Sequence, residues 1–310
     1  MRLAVFTKNH TNPAYGAARL GAERAAAALG AKVQHFVPET PDDPVQQSAL
    51  IAQALRQDPR PDAFVFSPVH PTRVDDAIRA VADAGIPIVG FVNPIAAAPS
   101  VSYVSSDDHA LALAIARHLF AHLSAQGAGA GPGRVLVVGG PVGSYTSDER
   151  LRGFRDAARA VPQRDLVGFI PGDYDRVVSR ERAAAWLRGP GAQGGPALLG
   201  CLAANDVMAL GVLEALEAAG LREVPVVGVN AIPEAIAAIG AGCLLATADF
   251  NAMQMAYLAA ECAVRHVRGE RVPATIELPV QVVDRHNCKA WDLPYAQRPV
   301  ITLEQLRRPA

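Results

Sequence analysis

Charge is scarce in this chain, and the little there is has no direction. Lys, Arg, Asp and Glu make up 19% of the 310 residues, and the formal net charge is −1. Ordinary soluble proteins carry about 25%. No block of basic residues occurs, so the electrostatic footprint of a nucleic-acid binder is missing. Every long apolar stretch is interrupted before it could form a transmembrane helix, and no membrane insertion is expected. Cysteines are few. Cys201, Cys243, Cys262 and Cys288 have neither C-x-x-C spacing nor a metal-ligand pattern, and Cys201 and Cys243 lie in strand-like runs. Buried free thiols are expected rather than disulfides. No secretory signal is read before the first strand, and the expectation is a cytoplasmic protein or one whose signal was removed or lies outside this sequence.

Motifs of catalysis are missing as well. Gly139-Gly140-Pro141-Val142-Gly143 follows a strand, as a phosphate loop would, but it lacks the G-x-G-x-x-G order and no Lys-Ser/Thr pair follows it. His118 and His122 stand four apart on one helix without the Glu of H-E-x-x-H, which reads as a solvated helix face rather than a metal pair. There is no G-x-S-x-G, and no Ser or Cys is placed to pair with a His. No catalytic residue, metal or cofactor is therefore expected, and the chain is read as a non-enzyme.

What the sequence does have is hydrophobic substance and rhythm. Half of the residues are hydrophobic, enough for one large domain or two ordinary ones. The stretch from Leu198 to Asn230 shows the rhythm best. A buried strand ends in Ala204-Asn205-Asp206, a helix runs from Val207 to Ala219, and a second strand, Val224-Pro225-Val226-Val227-Gly228-Val229, ends in Asn230. The same alternation starts at Leu3–Phe6 and continues through strands at 33–36, 63–66 and 86–92, with helices at 14–29, 45–55 and 72–84 between them. A weak strand at 101–104 and a helix at 108–124 follow. After a Gly/Ala-rich loop at 126–133 the pattern restarts. Strands are expected at 135–138, 166–170, 244–248 and 276–283, and helices within 146–161 and at 179–187, 232–239 and 251–268. The segment 189–195 reads as a Gly/Pro loop and the tail after Asn287 as irregular. Strand–helix units of this kind predict right-handed crossovers and parallel sheets. An internal echo points to two similar halves: Ile86-Pro87-Ile88-Val89-Gly90-Phe91-Val92-Asn93 and Val224-Pro225-Val226-Val227-Gly228-Val229-Asn230 both follow Ala-Gly helix ends or their vicinity and both finish in Asn.

Several segments together resemble the type I periplasmic binding proteins, in particular the ribose-binding-like group. They are Asn12-Pro13-Ala14-Tyr15, Gly85-Ile86-Pro87, Ser105-Ser106-Asp107-Asp108, Glu149-Arg150-Leu151-Arg152-Gly153-Phe154, Ala204-Asn205-Asp206-Val207-Met208-Ala209-Leu210-Gly211, Val226-Val227-Gly228-Val229-Asn230 and Ala246-Thr247-Ala248-Asp249. The Asn-Asp-x-Met-Ala-Leu-Gly element is the most specific of them, and the resemblance reaches to about Val283. It implies an α/β fold of two doubly wound, Rossmann-like parallel-sheet lobes joined by three hinge crossovers, near Ser105, Asp249 and Leu278. The lobes would be 1–104 plus 250–277 and 105–249 plus 278–290, with a tail at 291–310. The implied function is capture of a sugar or sugar-like ligand by hinge closure and its delivery to an ABC transporter permease, by a periplasmic monomer whose signal has been removed. The alternative is a ligand-sensing regulatory module of the same fold; a repressor would carry a helix-turn-helix before the first strand.

The resemblance also implies where the ligand sits. Tyr15 and Tyr174 match the family's aromatic clamp, since aromatic faces cover sugar C–H surfaces. Asn12, Asn205 and Asn230 offer planar hydrogen-bonding groups, although Asn12 and Asn205 read equally as helix caps. Asn93 is the echo of Asn230. Arg150 matches a position that is often structural. Departures are numerous: Asn230 stands where an acid is usual, Val92-Asn93 replaces Asp-Arg, Asp148 replaces an arginine, and Asp249-Phe250 displaces an amide. Lys8 and His70, on rim loops, could add charge. The pocket is thus expected to be rebuilt, with pentose, hexose, polyol and acidic derivatives all open.

Overall fold

The computed structural model describes residues 1–128, 132–161, 164–189 and 195–306. The chain opens with β1 (Arg2–Phe6), α1 (Pro13–Ala28), β2 (Lys32–Phe36), α2 (Pro44–Leu55), β3 (Ala63–Phe66), α3 (Asp75–Asp83), β4 (Ile88–Phe91) and β5 (Ser102–Ser106). It continues with α4 (Asp108–Leu123), β6 (Gly133–Gly139), α5 (Tyr145–Arg159), β7 (Arg164–Pro171), α6 (Arg176–Arg188), β8 (Leu198–Ala203) and α7 (Asp206–Ala218). Then come β9 (Val226–Val229), α8 (Pro233–Gly240), β10 (Ala246–Ala248), α9 (Ala252–Val267), β11 (Thr275–Leu278), β12 (Val282–Asp284) and α10 (Leu303–Leu306).

These elements form two compact units. Unit 1 comprises Met1–Ser106, Asn251–Pro279 and the chain from Tyr295 onward; unit 2 comprises Asp107–Phe250 and Val280–Pro294. The chain changes unit beside Ser105, Asp249 and Leu278, and a fourth time after Pro294. The stretch read as a separate irregular tail, 291–310, is therefore divided: its first residues belong to unit 2, and 295–306 pack on unit 1. Nor is the tail wholly irregular, since short helical turns at Cys288–Ala290 and Tyr295–Gln297 precede α10. Residues 307–310 lie outside the described residues, as do 129–131 and 190–194 of the two expected surface loops.

Unit 1 holds a six-stranded sheet in the order β11-β5-β4-β3-β1-β2, all parallel. β3 and β4 are buried along their whole length. That is why they read as continuous apolar runs: helices cover both faces of a parallel sheet. The register sets Phe6 beside Phe36 on one side and Phe66 on the other. The Phe6 ring stacks on Phe36 at 4.8 Å and on Phe64 at 5.1 Å, which anchors the core on that face.

Unit 2 holds a second six-stranded sheet, β12-β10-β9-β8-β6-β7. Five of its strands are parallel and β12 runs antiparallel to β10. Position by position the two orders match, so the echoed strands β4 and β9 occupy the same place in their sheets. The run Ile276–Val283, expected to be one strand, is two. Thr275–Leu278 pairs with β5 in unit 1, and Val282–Asp284 pairs with β10 in unit 2. Pro279 separates them; it has no N–H to continue a ladder. Among the helices of unit 2, α6 and α7 approach closely because Gly211 has no side chain: a Cβ there would lie 2.3 Å from the Arg176 carbonyl oxygen. This is the physical requirement behind the last residue of the Asn-Asp-x-Met-Ala-Leu-Gly element.

The cysteines need one correction. None of the four forms a disulfide, and Cys201, Cys262 and Cys288 are buried, but Cys243 is exposed in the turn after α8 rather than in a strand. Gly242 beside it, at φ +77°, turns the chain outward before β10 begins.

Candidate functional site

In a doubly wound sheet, ligands bind outside the carboxyl ends of the strands, near the point where the strand order reverses. Most of the residues singled out from the sequence stand at those ends, each within its own unit.

In unit 1, Lys8 follows β1. It is buried, at 2% exposure, and its Nζ lies 3.2 Å from Asp42 Oδ1. Asn9 Nδ2 donates to the other Asp42 oxygen at 3.0 Å, so this carboxylate gathers the β1 loop. Asn12 is the N-cap of α1: its Oδ1 accepts from the Ala14 N–H at 3.0 Å, and Pro13 takes the first helical position. Tyr15 is buried in the first turn of the same helix. His70 serves the loop after β3, where its Nδ1 accepts from the backbone N–H groups of Thr72 and Arg73 at 3.2 and 3.1 Å. Burial and Arg73 also hold the imidazole below its ordinary pKa, which favours this acceptor role in building the turn.

Asn93 ends β4. Its Nδ2 donates to the Pro68 carbonyl at 2.8 Å, while its buried Oδ1 has no donor among the described residues. Val92 before it sits at φ +68°, and the Asn93 N–H closes onto the Phe91 carbonyl at 2.9 Å. A β-branched residue in that region is strained, and the strain sets the direction in which Asn93 leaves the strand. Ser67, at the end of neighbouring β3, also has a buried Oγ without a partner among the described residues. Nothing in the sequence singled it out, because a serine between a strand and a proline reads only as a turn.

In unit 2, Asn205, Asn230 and Asp249 end the adjacent strands β8, β9 and β10. Asn205 caps α7 through Oδ1, which accepts from the Met208 N–H at 2.9 Å. Its Nδ2 is buried and has no acceptor among the described residues. Cap and candidate ligand contact are thus the two ends of one carboxamide. Asn230 stands at φ +130° and Ala231 at φ +51°, so the second echoed strand, like the first, ends in strained backbone. The Asn230 N–H donates to the Ala248 carbonyl at 2.8 Å, and its Oδ1 receives Arg150 Nη1 at 3.4 Å.

Arg150 is a hub. Its Nε donates to Asp108 Oδ1 at 2.7 Å, Nη1 donates to the Ala204 carbonyl at 2.6 Å, and the guanidinium lies 4.9 Å from the centre of the Phe250 ring. It is buried, and it ties the first turn of α4 to the ends of β8 and β9. Asp148, two residues earlier on α5, is exposed, and Thr146 and Ser147 are the buried residues of that turn. Asp206 lies under this rim. Its carboxylate accepts from Thr247 Oγ1 at 2.7 Å and from the Ile232 N–H at 3.0 Å, yet complete burial pushes its pKa up to about 7.

Tyr174 follows β7 at φ +56°. Its hydroxyl pairs with Thr146 Oγ1 at 2.8 Å, which in turn lies 3.2 Å from Ser144 Oγ. The ring rests on Gly140, where a Cβ would fall 2.4 Å from Tyr174 Cζ. The glycine run after β6 therefore seats an aromatic ring. Asp249 is nearly buried, its N–H donates to the Gln281 carbonyl at 2.8 Å, and its Oδ2 accepts from Trp291 Nε1 at 2.9 Å. Trp291 was outside every motif. It reaches the rim only because the chain re-enters unit 2 after β11.

At the opposite, amino-terminal edge of the same sheet is a groove of about 880 Å³ lined by His118, His122, Cys243, Asp284 and His286 among others. His118 Nε2 lies 3.9 Å from Asp284 Oδ2. Among the described residues no group of three His, Cys, Asp or Glu side chains is arranged to hold a metal ion, and no helix is long and apolar enough to cross a membrane.

Ribose import binding protein RbsB of Escherichia coli (strain K12) is 26% identical over 281 residues, covering 91% of this chain and 90% of that protein. The D-allose-binding periplasmic protein of the same organism is 27% identical over 256 residues, covering 80% and 78%. Among solved structures, a periplasmic solute-binding protein of an ABC transporter from Actinobacillus succinogenes with bound D-allose superposes with a TM-score of 0.83 at 25% identity, covering 93% of this chain and 99% of that one. A solute-binding protein from Mycobacterium smegmatis with bound glycerol also gives 0.83 at 25% identity, covering 94% and 96%. The family described as periplasmic binding protein domain matches residues 3–271. Two doubly wound units with polar, strained strand ends, and a family match across most of the length, make this chain a member of the periplasmic binding protein domain family.

Proposed function

We propose that this protein is the solute-binding component of a sugar ABC importer and that its ligand is a neutral sugar or polyol. The observation that carries the reading is the Asn205 carboxamide. Its oxygen is committed to capping α7, and its Nδ2 is a buried donor without an acceptor among the described residues. A buried donor left unpaired costs about 1–3 kcal/mol, so such a group at a sheet rim is kept for a partner from outside. Asn93 Oδ1 offers the complementary acceptor on unit 1. Neutrality follows from the cations: Lys8 is paired with Asp42 and Arg150 with Asp108, so neither brings uncompensated charge to a sugar acid.

In this reading Tyr15 and Tyr174 cover the C–H faces of the ligand. Asn12, Asn93, Asn205, Asn230 and Asp249 meet its hydroxyls, and Arg150 and Phe250 support them from behind. A permease senses the ligand-bound form. The working place is the periplasm, the working form a monomer, and the reaction binding alone. Relatives that bind ribose, D-allose or glycerol support the class. None of them supports a regulatory module.

The test is isothermal titration with pentoses, hexoses, hexitols and sugar acids, followed by Asn205→Asp. That variant keeps the cap oxygen and replaces the donor by an acceptor. Affinity for the identified sugar is expected to fall by at least about tenfold, the loss of one well-placed hydrogen bond, measured where circular dichroism shows the variant to be folded. Binding of a sugar acid in preference to every neutral sugar, or unchanged affinity in Asn205→Asp, would refute the reading.

A further inference from the structure

The family match ends at residue 271, and the segment 280–294 that re-enters unit 2 lies beyond it. Trp291 is on this segment, just after the turn Cys288–Ala290, and its indole is half-buried. That indole reaches the rim: Nε1–H donates to Asp249 Oδ2 at 2.9 Å.

Asp249 is well placed to face a ligand. It ends β10, next to β9 with Asn230 and one strand further from β8 with Asn205. Its backbone is held by Gln281 and its sequence neighbour Phe250 is held under Arg150. The carboxylate is close enough to Asp206 for its charge to oppose ionisation there. What the backbone does not fix is rotation of the carboxylate about its own side-chain bonds. A carboxylate can only accept, at roughly four lone-pair sites on two oxygens. To receive hydroxyl protons from a sugar it must present those lone pairs in one orientation before the ligand arrives, because ordering them afterwards subtracts from affinity. A directional N–H on one oxygen supplies that orientation.

We propose that Trp291 is a positioning residue of the ligand site: its indole N–H holds the Asp249 carboxylate in the orientation that accepts hydrogen bonds from ligand hydroxyls. This rests on the sugar-binding reading above. It adds to that reading a residue from outside the matched family segment, and it makes the hydroxyls that meet Asp249 donors. It also makes Trp291 a built-in reporter, because a ligand that draws on the Asp249 charge changes the field at the indole. The chain has one other tryptophan, Trp186 on α6, which lies near Arg134.

The experiment uses the full chain, the sugar identified by titration, and the variants Trp186→Phe, Trp291→Phe, Asp249→Asn and the double variant Trp291→Phe/Asp249→Asn. In wild type and Trp186→Phe, sugar is expected to change tryptophan emission; in Trp291→Phe it is expected not to. Trp291→Phe keeps an aromatic ring and loses only the donor, so its affinity should fall about tenfold with little change in thermal midpoint. In the Asp249→Asn background the same substitution should weaken binding less than twofold, because its effect runs through the carboxylate. A merely structural tryptophan would weaken both backgrounds equally. Equal losses in the two backgrounds, or wild-type affinity in Trp291→Phe, overturn the proposal while leaving the sugar reading intact. Failure of wild type to bind any sugar overturns that reading, and this proposal with it.

Discussion

Arg150 donates through Nε to Asp108 Oδ1 at 2.7 Å, and both side chains are almost wholly withdrawn from solvent. Taking two charges out of water is unfavourable, and the pair persists because the guanidinium also binds the Ala204 carbonyl, leans toward Asn230 Oδ1 and covers Phe250. The ion pair therefore does for the rim of unit 2 what a strut does, linking α4, α5 and the ends of two strands.

Removing one partner leaves the other buried and uncompensated. Arg150→Met is expected to destabilise unit 2 by about 3–5 kcal/mol. Replacing both, as Arg150→Met/Asp108→Leu, should recover most of that loss in urea unfolding, because no charge is left stranded. Sugar affinity should stay low in both variants, since Asn230 is no longer held. Full recovery of affinity in the double variant would show that Arg150 serves stability alone.

Asp206 makes stability depend on pH in an uncommon direction. Its folded-state pKa of about 7 lies above the 3.8 of an ordinary aspartate, so the folded state holds the proton more tightly than the unfolded chain. The stability this contributes is complete below about pH 4 and is lost as pH rises toward 7, at up to about 1.4 kcal/mol per pH unit. His35, His70 and His118, lowered by burial, act in the opposite sense. The difference between wild type and Asp206→Asn isolates the carboxyl group, since the histidines are common to both. Chemical unfolding at pH 5, 6, 7 and 8 should show wild type losing stability relative to the variant up to pH 7, with the gap constant above. A gap that does not change with pH would mean that Asp206 is ionised throughout.

Gly140 is expected to matter for binding through Tyr174. A methyl group at that position would fall inside contact distance of the ring, and the ring would have to leave Thr146. Gly140→Ala should therefore weaken sugar binding about as much as Tyr174→Ala, roughly tenfold if the ring covers one sugar face. Calorimetric titration of both variants measures this. If Tyr174→Ala weakens binding and Gly140→Ala does not, the ring can move aside without consequence.

The tail is held to unit 1 by specific side chains of α9. Gln254 Nε2 donates to the Ile301 carbonyl at 2.6 Å, and Gln254 Oε1 accepts from the Ile301 N–H at 2.7 Å. Glu261 Oε2 accepts from the Leu303 N–H at 2.9 Å. Gln254→Ala removes a reciprocal pair worth about 2 kcal/mol. The expected outcome is faster amide exchange and faster proteolysis from Tyr295 onward, with sugar affinity unchanged. Unchanged exchange would mean that the apolar contacts of Leu303 suffice to hold the tail.

Much of this molecule could be read from the chain, and the errors have physical causes. Val5, Val65 and Val89 stand in apolar runs flanked by caps and glycines, so the strands and their parallel arrangement were legible. The strand expected over Ile276–Val283 was misread as single because alternation continues straight through Pro279; which sheet each half joins depends on partners elsewhere in the chain. Cys243 was expected in a strand because Leu244 and Leu245 come next, but the turn at Gly242 holds it outside. His70 looked like a charge on a rim loop, and its role as an acceptor for two backbone N–H groups depends on the fold of that loop alone. Asp148 occupied a family position and is exposed, because the first turn of α5 buries Thr146 and Ser147 instead.

What the sequence by itself determined is the alternation of strand and helix, the family, and the strand-ending polar residues Asn93, Asn205, Asn230 and Asp249. These depend on local periodicity and on short motifs, which a chain carries whether or not it is folded. Only the tertiary structure decided which atom of each polar residue is engaged. It put Asn205 Oδ1 on a helix end and left Nδ2 buried without a partner among the described residues, placed the ring of Tyr174 on Gly140, and brought the Trp291 indole to Asp249 across 42 residues. Hydrogen bonds are short and directional, so their partners are chosen only when segments distant in sequence have been packed side by side.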